Sequence, residues 1–212
     1  MVEYLQAPEQ DVVISSRVRL SRNYDDLPFS PKLTREYANE VVVRTSDAVF
    51  RGSGGQSFSL LRMGELEQDA RSRLVEHHLI SYDLLKYADR SAAMVSANGT
   101  VTVMLNEEDH VRFQGLLPGL QLERAAELAL GMDESVGEKY PFAFDSQLGF
   151  LTACPANTGT GMRCSVVLHL PALSGGGQMG AVMQAVAKLG LTIRGLYGEG
   201  TMARGHLYQL SN

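Results

Sequence analysis

The first half of the chain alternates between extended apolar runs and segments with helical spacing. The run "DVVISSRVRLSRN" (11–23) is rich in β-branched residues and predicts a strand. Apolar residues then recur at helical spacing in "LTREYANEVVVRTSDAVF" (33–50), with Thr34 as the N-cap. After the glycine-rich loop "RGSGGQS", the pattern predicts a second strand, "FSLLRM", and an amphipathic helix that ends in two histidines, "GELEQDARSRLVEHHLI".

A hairpin signal follows in "AAMVSANGTVTVMLN" (92–106), where Asn98-Gly99 separates two apolar runs. Two later segments have helical spacing, "LQLERAAELALGMDESVGEK" (120–139) and "GQMGAVMQAVAKLG" (177–190). Further strands are predicted for 149–155, "MRCSVVLHLPAL" (162–173), "LTIRGLYGEG" (191–200) and "HLYQLSN" (206–212). Since no repeat or linker interrupts this pattern, we expect one α+β domain over residues 1–212, dominated by an antiparallel β-sheet flanked by helices.

Composition and charge narrow the class of protein. With 212 residues, 44% of them hydrophobic, the chain can bury a proper core. The formal net charge of -5 argues against a protein that itself binds nucleic acid or an anionic membrane surface. We find no signal-peptide core and no apolar run of bilayer length, so we expect a cytoplasmic protein without a membrane segment. The two cysteines, Cys154 and Cys164, lack CxxC spacing and are expected to be reduced thiols.

The stretch "MLNEEDHVR" (104–112) contains three consecutive carboxylates where a predicted strand ends. These are Glu107, Glu108 and Asp109, and a histidine and Arg112 follow them. Neighbouring carboxylates repel each other, and one is driven toward its protonated form unless a cation or hydrogen-bond donors lie among them. The stretch is therefore either a solvated turn or a site for a metal or a cationic substrate.

Arginines recur at the ends of predicted strands. Alternation along a strand places Arg17 and Arg19 on the same face, where both could bind one polyphosphate. Each arginine alone is compatible with a solvated strand. If the strands are neighbours, however, the guanidinium groups converge and require an anion of several charges, such as a nucleotide triphosphate. The five arginines are Arg17, Arg19, Arg112, Arg163 and Arg194.

The loop "CPANTGTGMR" (154–163) has the glycines of a phosphate-binding turn. Gly159 and Gly161 allow backbone amides to approach a phosphate closely. No lysine and hydroxyl pair follows them, so the loop is not a Walker A motif. A simple β-turn would have the same composition.

Five segments, taken in order, resemble the ATP:guanido phosphotransferase family, which includes the phosphagen kinases. The segments are "ISSRVRLSRN", "LVEHHLIS", "NEEDHVR", "LTACPANTGTGMR" and "IRGLYGEG". The combination of "NEEDH" with "CPxNxGTxxR" is specific to that family. The sequences of the segments "LVEHHLIS", "LPGLQLE" and "LTIRGLYGEG" most resemble those of the bacterial branch of the family, which phosphorylates arginine residues in proteins. The resemblance implies the phosphagen kinase catalytic fold, which is glutamine synthetase-like.

The resemblance also implies roles for individual residues. Glu108 and Glu199 match the catalytic carboxylates that hold the guanidinium, Glu107 lies beside Glu108 near Mg²⁺, and Cys154 is the reactive thiol next to the guanidinium. His78 matches a histidine that packs on adenine, although it could equally pair with carbonyls at a helix end. The residues implied to bind the phosphates of ATP are Ser16, Arg17, Arg19, Arg112, Arg163 and Arg194.

The activity implied by the resemblance is transfer of the γ-phosphoryl group of ATP, with Mg²⁺, to arginine side chains of proteins. The implied partners are protein substrates with exposed arginine, an activator protein and Clp-type protease machinery. Two alternatives stay open: a kinase of a free guanidino compound, and a truncated, non-catalytic module that binds nucleotide or arginine.

Three features are expected to depart from the family pattern. The chain lacks the long N-terminal helical domain of classical phosphagen kinases, so we expect an open guanidinium pocket. It is also expected to be truncated at the C-terminus relative to the family. In addition, Arg204 follows Glu199 where related chains favour small or acidic residues, and it would repel a guanidinium.

Overall fold

In the computed structural model, residues 7–52, 55–196 and 203–212 are described. The chain divides into two compact units. The larger comprises Arg19–Gly115 and Glu127–Met162, and the smaller comprises Met1–Val18, Leu116–Ala126 and Arg163–Asn212. Four elements contribute residues to both units: strands β1 (Val13–Arg22), β5 (Val111–Pro118) and β8 (Met162–His169) and helix α3 (Leu122–Gly137).

The larger unit contains an antiparallel sheet in the strand order β2-β3-β4-β5. Its own elements are α1 (Arg35–Gly52), β2 (Phe58–Arg62), α2 (Gln68–Glu76), β3 (Ala92–Ser96), β4 (Val101–Leu105), β6 (Phe144–Asp145) and β7 (Gly149–Phe150). Every residue of β4 is buried, as expected for a strand covered on both faces. Helix α1 begins as predicted, because Tyr37 N donates to Thr34 Oγ1 at 3.3 Å.

The hairpin between β3 and β4 has the predicted turn. Gly99 has a φ of 71°, a left-handed conformation that glycine adopts without strain. Asn98 Oδ1 accepts hydrogen bonds from Ser96 Oγ at 2.8 Å and from the Thr100 amide at 3.2 Å. The turn sets the register in which Met94 lies opposite Val103. The next turn, between β4 and β5, carries the three carboxylates.

The smaller unit contains β8 (Met162–His169), β10 (Leu207–Ser211) and β9 (Thr192–Gly195) in this spatial order, with antiparallel pairing. Helices α4 (Pro171–Gly175) and α5 (Met179–Lys188) lie between β8 and β9 in sequence. Both units thus combine antiparallel strands with helices, which confirms the predicted α+β class. The expectation of a single domain over residues 1–212 stays a prediction. Within the described ranges, no helix is both long and apolar enough to cross a membrane.

Some predicted boundaries differ from those of the structure. The helix expected over 64–80 covers only Gln68–Glu76, because His77 is its C-cap and His78 has a left-handed φ of 57°. The strand expected over 149–155 is two residues long, since Pro155 starts a short 3-10 helix and cannot donate to a strand ladder. Strand β5 was not predicted.

Candidate active site

The turn between β4 and β5 is fixed by its first residue. Asn106 has a left-handed φ of 59°, which asparagine tolerates better than most residues. Its backbone N donates to the His110 carbonyl at 2.9 Å and closes the turn. Its side-chain Nδ2 donates to the carbonyls of Ala38 at 2.8 Å and Arg90 at 3.0 Å. The acidic turn is therefore anchored to α1 and to the segment before β3.

The three consecutive carboxylates have three different environments. Glu107 is buried, with Oε1 accepting a hydrogen bond from Ser81 Oγ and Oε2 in an ion pair with Arg112 Nη1. The Glu108 side chain is 48% exposed, and its Oε2 lies 3.5 Å from Arg112 Nη2. Asp109 is buried, and its Oδ1 accepts from Asn23 Nδ2 at 2.7 Å. The repulsion expected from the sequence is thus avoided because each carboxylate has its own donors or solvent.

Asp109 has a structural role in this arrangement. Its Oδ1 also accepts a hydrogen bond from the Ala153 amide at 2.7 Å. Asn23, its other partner, accepts from the His110 amide through Oδ1 at 2.9 Å and donates to the Leu151 carbonyl at 3.2 Å. These bonds join the end of β1, the acidic turn and the loop that carries Cys154.

His110 is buried on the same turn with a fixed tautomer. Its Nδ1 accepts from the Tyr24 amide at 3.1 Å, so Nε2 carries the proton and donates to the Pro28 carbonyl at 3.0 Å. Burial lowers the pKa of His110 below its usual value, which keeps the ring neutral. His110 therefore supports the turn rather than exchanging protons with a ligand.

A cavity of about 650 Å³ opens beside Glu108. It is lined by Ser30, Asp83, Lys86, Tyr87, Arg90, Glu107, Glu108, Arg112 and Ala153. The structure thus brings together three of the predicted site residues, Glu107, Glu108 and Arg112. Within the cavity, Arg90 Nη1 donates to the Leu33 carbonyl at 3.1 Å, and its guanidinium lies 4.6 Å from the centroid of the Tyr87 ring.

Sequence reasoning missed several of these residues. Ser81 is the last residue of "LVEHHLIS", in which only His78 was expected to contact a ligand, although the Ser81 hydroxyl holds the buried Glu107. Lys86, Tyr87 and Arg90 lie in "YDLLKYADR", which carries no spacing that predicts a site. Only the fold places that segment next to the acidic turn.

The glycine loop is held by an arginine that was also missed. Arg22 is buried, and its Nη1 donates to the carbonyls of Ser21 at 2.8 Å and Thr160 at 2.9 Å. Its Nη2 pairs with Asp133 Oδ2 at 2.8 Å. At Gly161, where φ is 61°, a Cβ would lie 2.6 Å from Arg22 Nη1. Glycine is thus required there for close packing as well as for its backbone conformation.

Cys154 and Cys164 are both free, partly buried thiols. Cys154 directly follows Ala153 of the cavity wall, and its carbonyl accepts from Thr152 Oγ1 at 2.7 Å. Cys164 lies in β8, where burial raises the pKa of its thiol. A raised pKa lowers the fraction of reactive thiolate at neutral pH.

We therefore predict that alkylation labels Cys154 before Cys164, with rates that differ by about threefold or more. Peptide mapping by mass spectrometry after brief iodoacetamide treatment measures both rates in one sample. A Cys154→Ser variant is the matched control, because its remaining labelling reports Cys164 alone. Faster labelling of Cys164 would contradict the prediction.

Two of the predicted phosphate-binding arginines lie in the smaller unit, and each donates a hydrogen bond to a different serine. Arg17 Nε donates to Ser165 Oγ at 3.3 Å, and Arg163 Nη2 donates to Ser211 Oγ at 3.1 Å. Ser165 and Ser211 are cross-strand partners on β8 and β10, so both guanidinium groups approach the same point of that sheet. Arg194 is exposed on β9.

The remaining predicted residues have diverse surroundings. Ser16 is buried, and its hydroxyl donates to the Gly119 carbonyl at 2.7 Å and accepts from the Gln121 amide at 2.9 Å. The carbonyl of His78 accepts from Gln114 Nε2 at 2.9 Å. Arg19 is partly buried on β1. Glu199 lies outside the described residues. The assignment of these residues to ATP or substrate stays a prediction.

The Mg²⁺ contact of Glu107 implied by the family resemblance stays a prediction. Both carboxylate oxygens of Glu107 already have partners, Ser81 and Arg112. In the part of the chain that the structure describes, no group of three or more His, Cys, Asp or Glu residues could hold a metal ion.

Solved structures that share this fold include two phosphagen kinases. The duplicated taurocyamine kinase from Schistosoma mansoni, with bound transition state analog components, matches with a TM-score of 0.84 at 28% sequence identity, over 95% of this chain and 29% of that chain. Lombricine kinase matches with a TM-score of 0.79 at 25% identity, over 97% of this chain and 60% of that one. The fold is that of a phosphagen kinase catalytic domain.

Sequence relatives then define the family. Residues 40–212 match the family described as "ATP:guanido phosphotransferase, C-terminal catalytic domain". This chain belongs to the ATP:guanido phosphotransferase family, which confirms the resemblance found in the sequence.

Two bacterial relatives are named protein-arginine kinase. That of Desulforamulus reducens is 47% identical over 208 residues, which cover 97% of this chain and 58% of that protein. That of Halothermothrix orenii is 44% identical over 207 residues, which cover 98% of this chain and 59% of that protein. The chain therefore spans a little under three fifths of the length of these relatives.

Proposed function

We propose that this chain carries the catalytic function of a protein arginine kinase, which transfers the γ-phosphoryl group of ATP to arginine side chains in proteins. Its sequence identity of 42% to 47% to proteins named protein-arginine kinase supports this substrate class. The similarity to taurocyamine and lombricine kinases is lower, at 25% to 28%. This difference favours a protein substrate over a free guanidino compound.

One observation carries the proposal, namely the contrast between Glu107 and Glu108. Arg112 and Ser81 hold the buried Glu107, while Glu108 presents a carboxylate that is 48% exposed to the cavity. A guanidinium is fully protonated at neutral pH and cannot attack phosphorus until a base accepts its proton. Glu108 is the carboxylate available for this task, and the ion pair of Glu107 keeps Arg112 in place.

The proposed step moves one proton to Glu108 and one phosphoryl group to the substrate. A nitrogen of the substrate guanidinium gives its proton to a Glu108 oxygen and forms a bond to the γ-phosphorus. The bond between that phosphorus and the β–γ bridging oxygen breaks, and ADP leaves with the electron pair. Catalysis of this kind depends mainly on positioning and on electrostatic stabilisation of the transferring group.

The other predicted residues keep their roles as proposals. From the family resemblance we assign the ATP phosphates to Ser16, Arg17, Arg19, Arg112, Arg163 and Arg194. His78 is assigned to adenine, Cys154 to the guanidinium and Glu199 to a second carboxylate contact. Cytoplasmic location, an activator protein and Clp-type protease machinery are proposed from the family resemblance alone.

The test is incubation of the full chain with MgATP and an unfolded, arginine-rich protein. We expect acid-labile phosphate on arginine, formed much faster than on free arginine or creatine at matched guanidinium concentration, because a polypeptide adds binding contacts that a small molecule lacks. Faster transfer to a free guanidino compound would favour the small-molecule kinase. ATP binding without transfer to either substrate would favour a non-catalytic module.

A further inference from the structure

A second cavity of about 370 Å³ lies on the larger unit beside helix α2. It is lined by Gln68, Arg71, Ser72, Tyr82, Leu85 and Lys86. Its wall therefore carries two cationic side chains, several hydrogen-bond donors and no carboxylate. The first cavity differs, because Asp83, Glu107 and Glu108 balance its cations.

Arg71 supplies a donor that needs an acceptor. Its Nε is buried, and among the described residues it has no hydrogen-bond partner. A buried guanidinium donor without an acceptor is costly, because it has lost water and gained nothing in exchange. Arg71 also lines the cavity, so an anionic ligand bound there would lie beside its guanidinium and offset its charge.

Lys86 connects the second cavity to the candidate active site, because its side chain lines both. Its Nζ pairs with Asp83 Oδ1 at 2.6 Å, yet the side chain stays 60% exposed. Asp83 itself borders only the first cavity. A polypeptide with its arginine in the first cavity would therefore pass Lys86 and reach Arg71.

Tyr82 adds a surface suited to a peptide. It is 71% exposed, which is unusual for a side chain of this size, and it stands at the wall of the second cavity. An exposed tyrosine offers an apolar face together with a hydroxyl, and such residues often contact partner chains.

We propose that the second cavity binds the carboxylate of an aspartate or glutamate in the protein substrate, close in sequence to the target arginine. The inference rests on the proposed function and adds a preference to it, namely arginines with a neighbouring acidic residue. A tethered carboxylate fits the observations better than a free anion, because the cavity shares Lys86 with the candidate active site and carries the exposed Tyr82.

The direct test measures binding of labelled peptides to the full chain by fluorescence anisotropy. Each peptide has one arginine in a neutral sequence and one glutamate, which is moved through the positions on either side. We expect one or two glutamate positions to tighten binding about three- to tenfold relative to glutamine at the same position, as for partly exposed ion pairs. In a phosphorylation assay the same peptides should have correspondingly lower KM values.

Variants of helix α2 test whether Arg71 is responsible for the glutamate preference. Arg71→Gln should abolish the glutamate preference, and Arg71→Glu should reverse it in favour of a lysine at the same position. Arg73→Glu is the matched control, because Arg73 is exposed on the same helix and does not line either cavity. It should keep the preference of the original chain.

The outcomes separate the inference from the proposed function. Position-dependent binding without phosphorylation would support the acidic subsite and count against the kinase. Phosphorylation without any glutamate preference would overturn the subsite and leave the kinase standing. Equal gains at every position, or equal losses in Arg71→Glu and Arg73→Glu, would reveal non-specific attraction and also overturn it. If Arg71→Glu weakens inorganic phosphate binding while glutamate position has no effect, the cavity binds free anions and the proposal is wrong.

Discussion

Replacement of Glu108 by glutamine should lower kcat about 10²- to 10⁴-fold, the usual contribution of a positioned general base. Glutamine has nearly the same shape as glutamate but cannot accept the guanidinium proton. The Glu108 side chain is largely outside the hydrogen-bond network of the turn, since its Oε2 lies 3.5 Å from Arg112 Nη2. Stability should therefore change little, and ATP affinity should be largely retained.

The measurement pairs initial rates of arginine phosphorylation with a separate titration of ATP binding. Glu127→Gln is a suitable control, because Glu127 is exposed on α3 and does not line the candidate active site. Its rates should match those of the original chain. If Glu108→Gln lost ATP binding and turnover to the same degree, Glu108 would be a nucleotide contact and its assignment as the base would be wrong.

Features set by local chemistry could be predicted from the sequence. The Asn98-Gly99 turn needs only a left-handed glycine and an asparagine that accepts nearby donors, and both are visible in the sequence. The N-cap at Thr34 likewise depends on residues three or four positions away. Glu107, Glu108 and Arg112 are close in the motif "NEEDHVR", and the structure places all three at the wall of one cavity.

The different environments of the three carboxylates could not be predicted, because Glu107 and Asp109 each have a partner that is distant in sequence. Glu107 is held by Ser81, and Asp109 by Asn23, which is 86 positions away. Alternation along a strand placed Arg17 and Arg19 on one face, but gave no reason to single out Arg22. Its partner Asp133 is 111 positions distant and lies on a helix.

Arg22 and Asp133 form a buried ion pair, with side chains 3% and 10% exposed. Burial raises the pKa of Asp133, although the nearby Arg22 charge acts in the opposite direction. The Arg22 guanidinium also lies 3.6 Å from the centroid of the Phe150 ring. With these contacts and its bond to the Thr160 carbonyl, Arg22 fixes the glycine loop to the end of β1.

Asp133→Ala should therefore lower the free energy of unfolding by about 3–5 kcal/mol, because it leaves the buried Arg22 charge without its counterion. Urea unfolding followed by circular dichroism measures the change. Glu134→Ala, at an exposed position on the same helix, should change it by less than about 0.5 kcal/mol. The double variant Arg22→Met with Asp133→Leu should be more stable than Asp133→Ala, since no unpaired charge remains buried. If Asp133→Ala matched the Glu134→Ala control, the ion pair would not hold the loop.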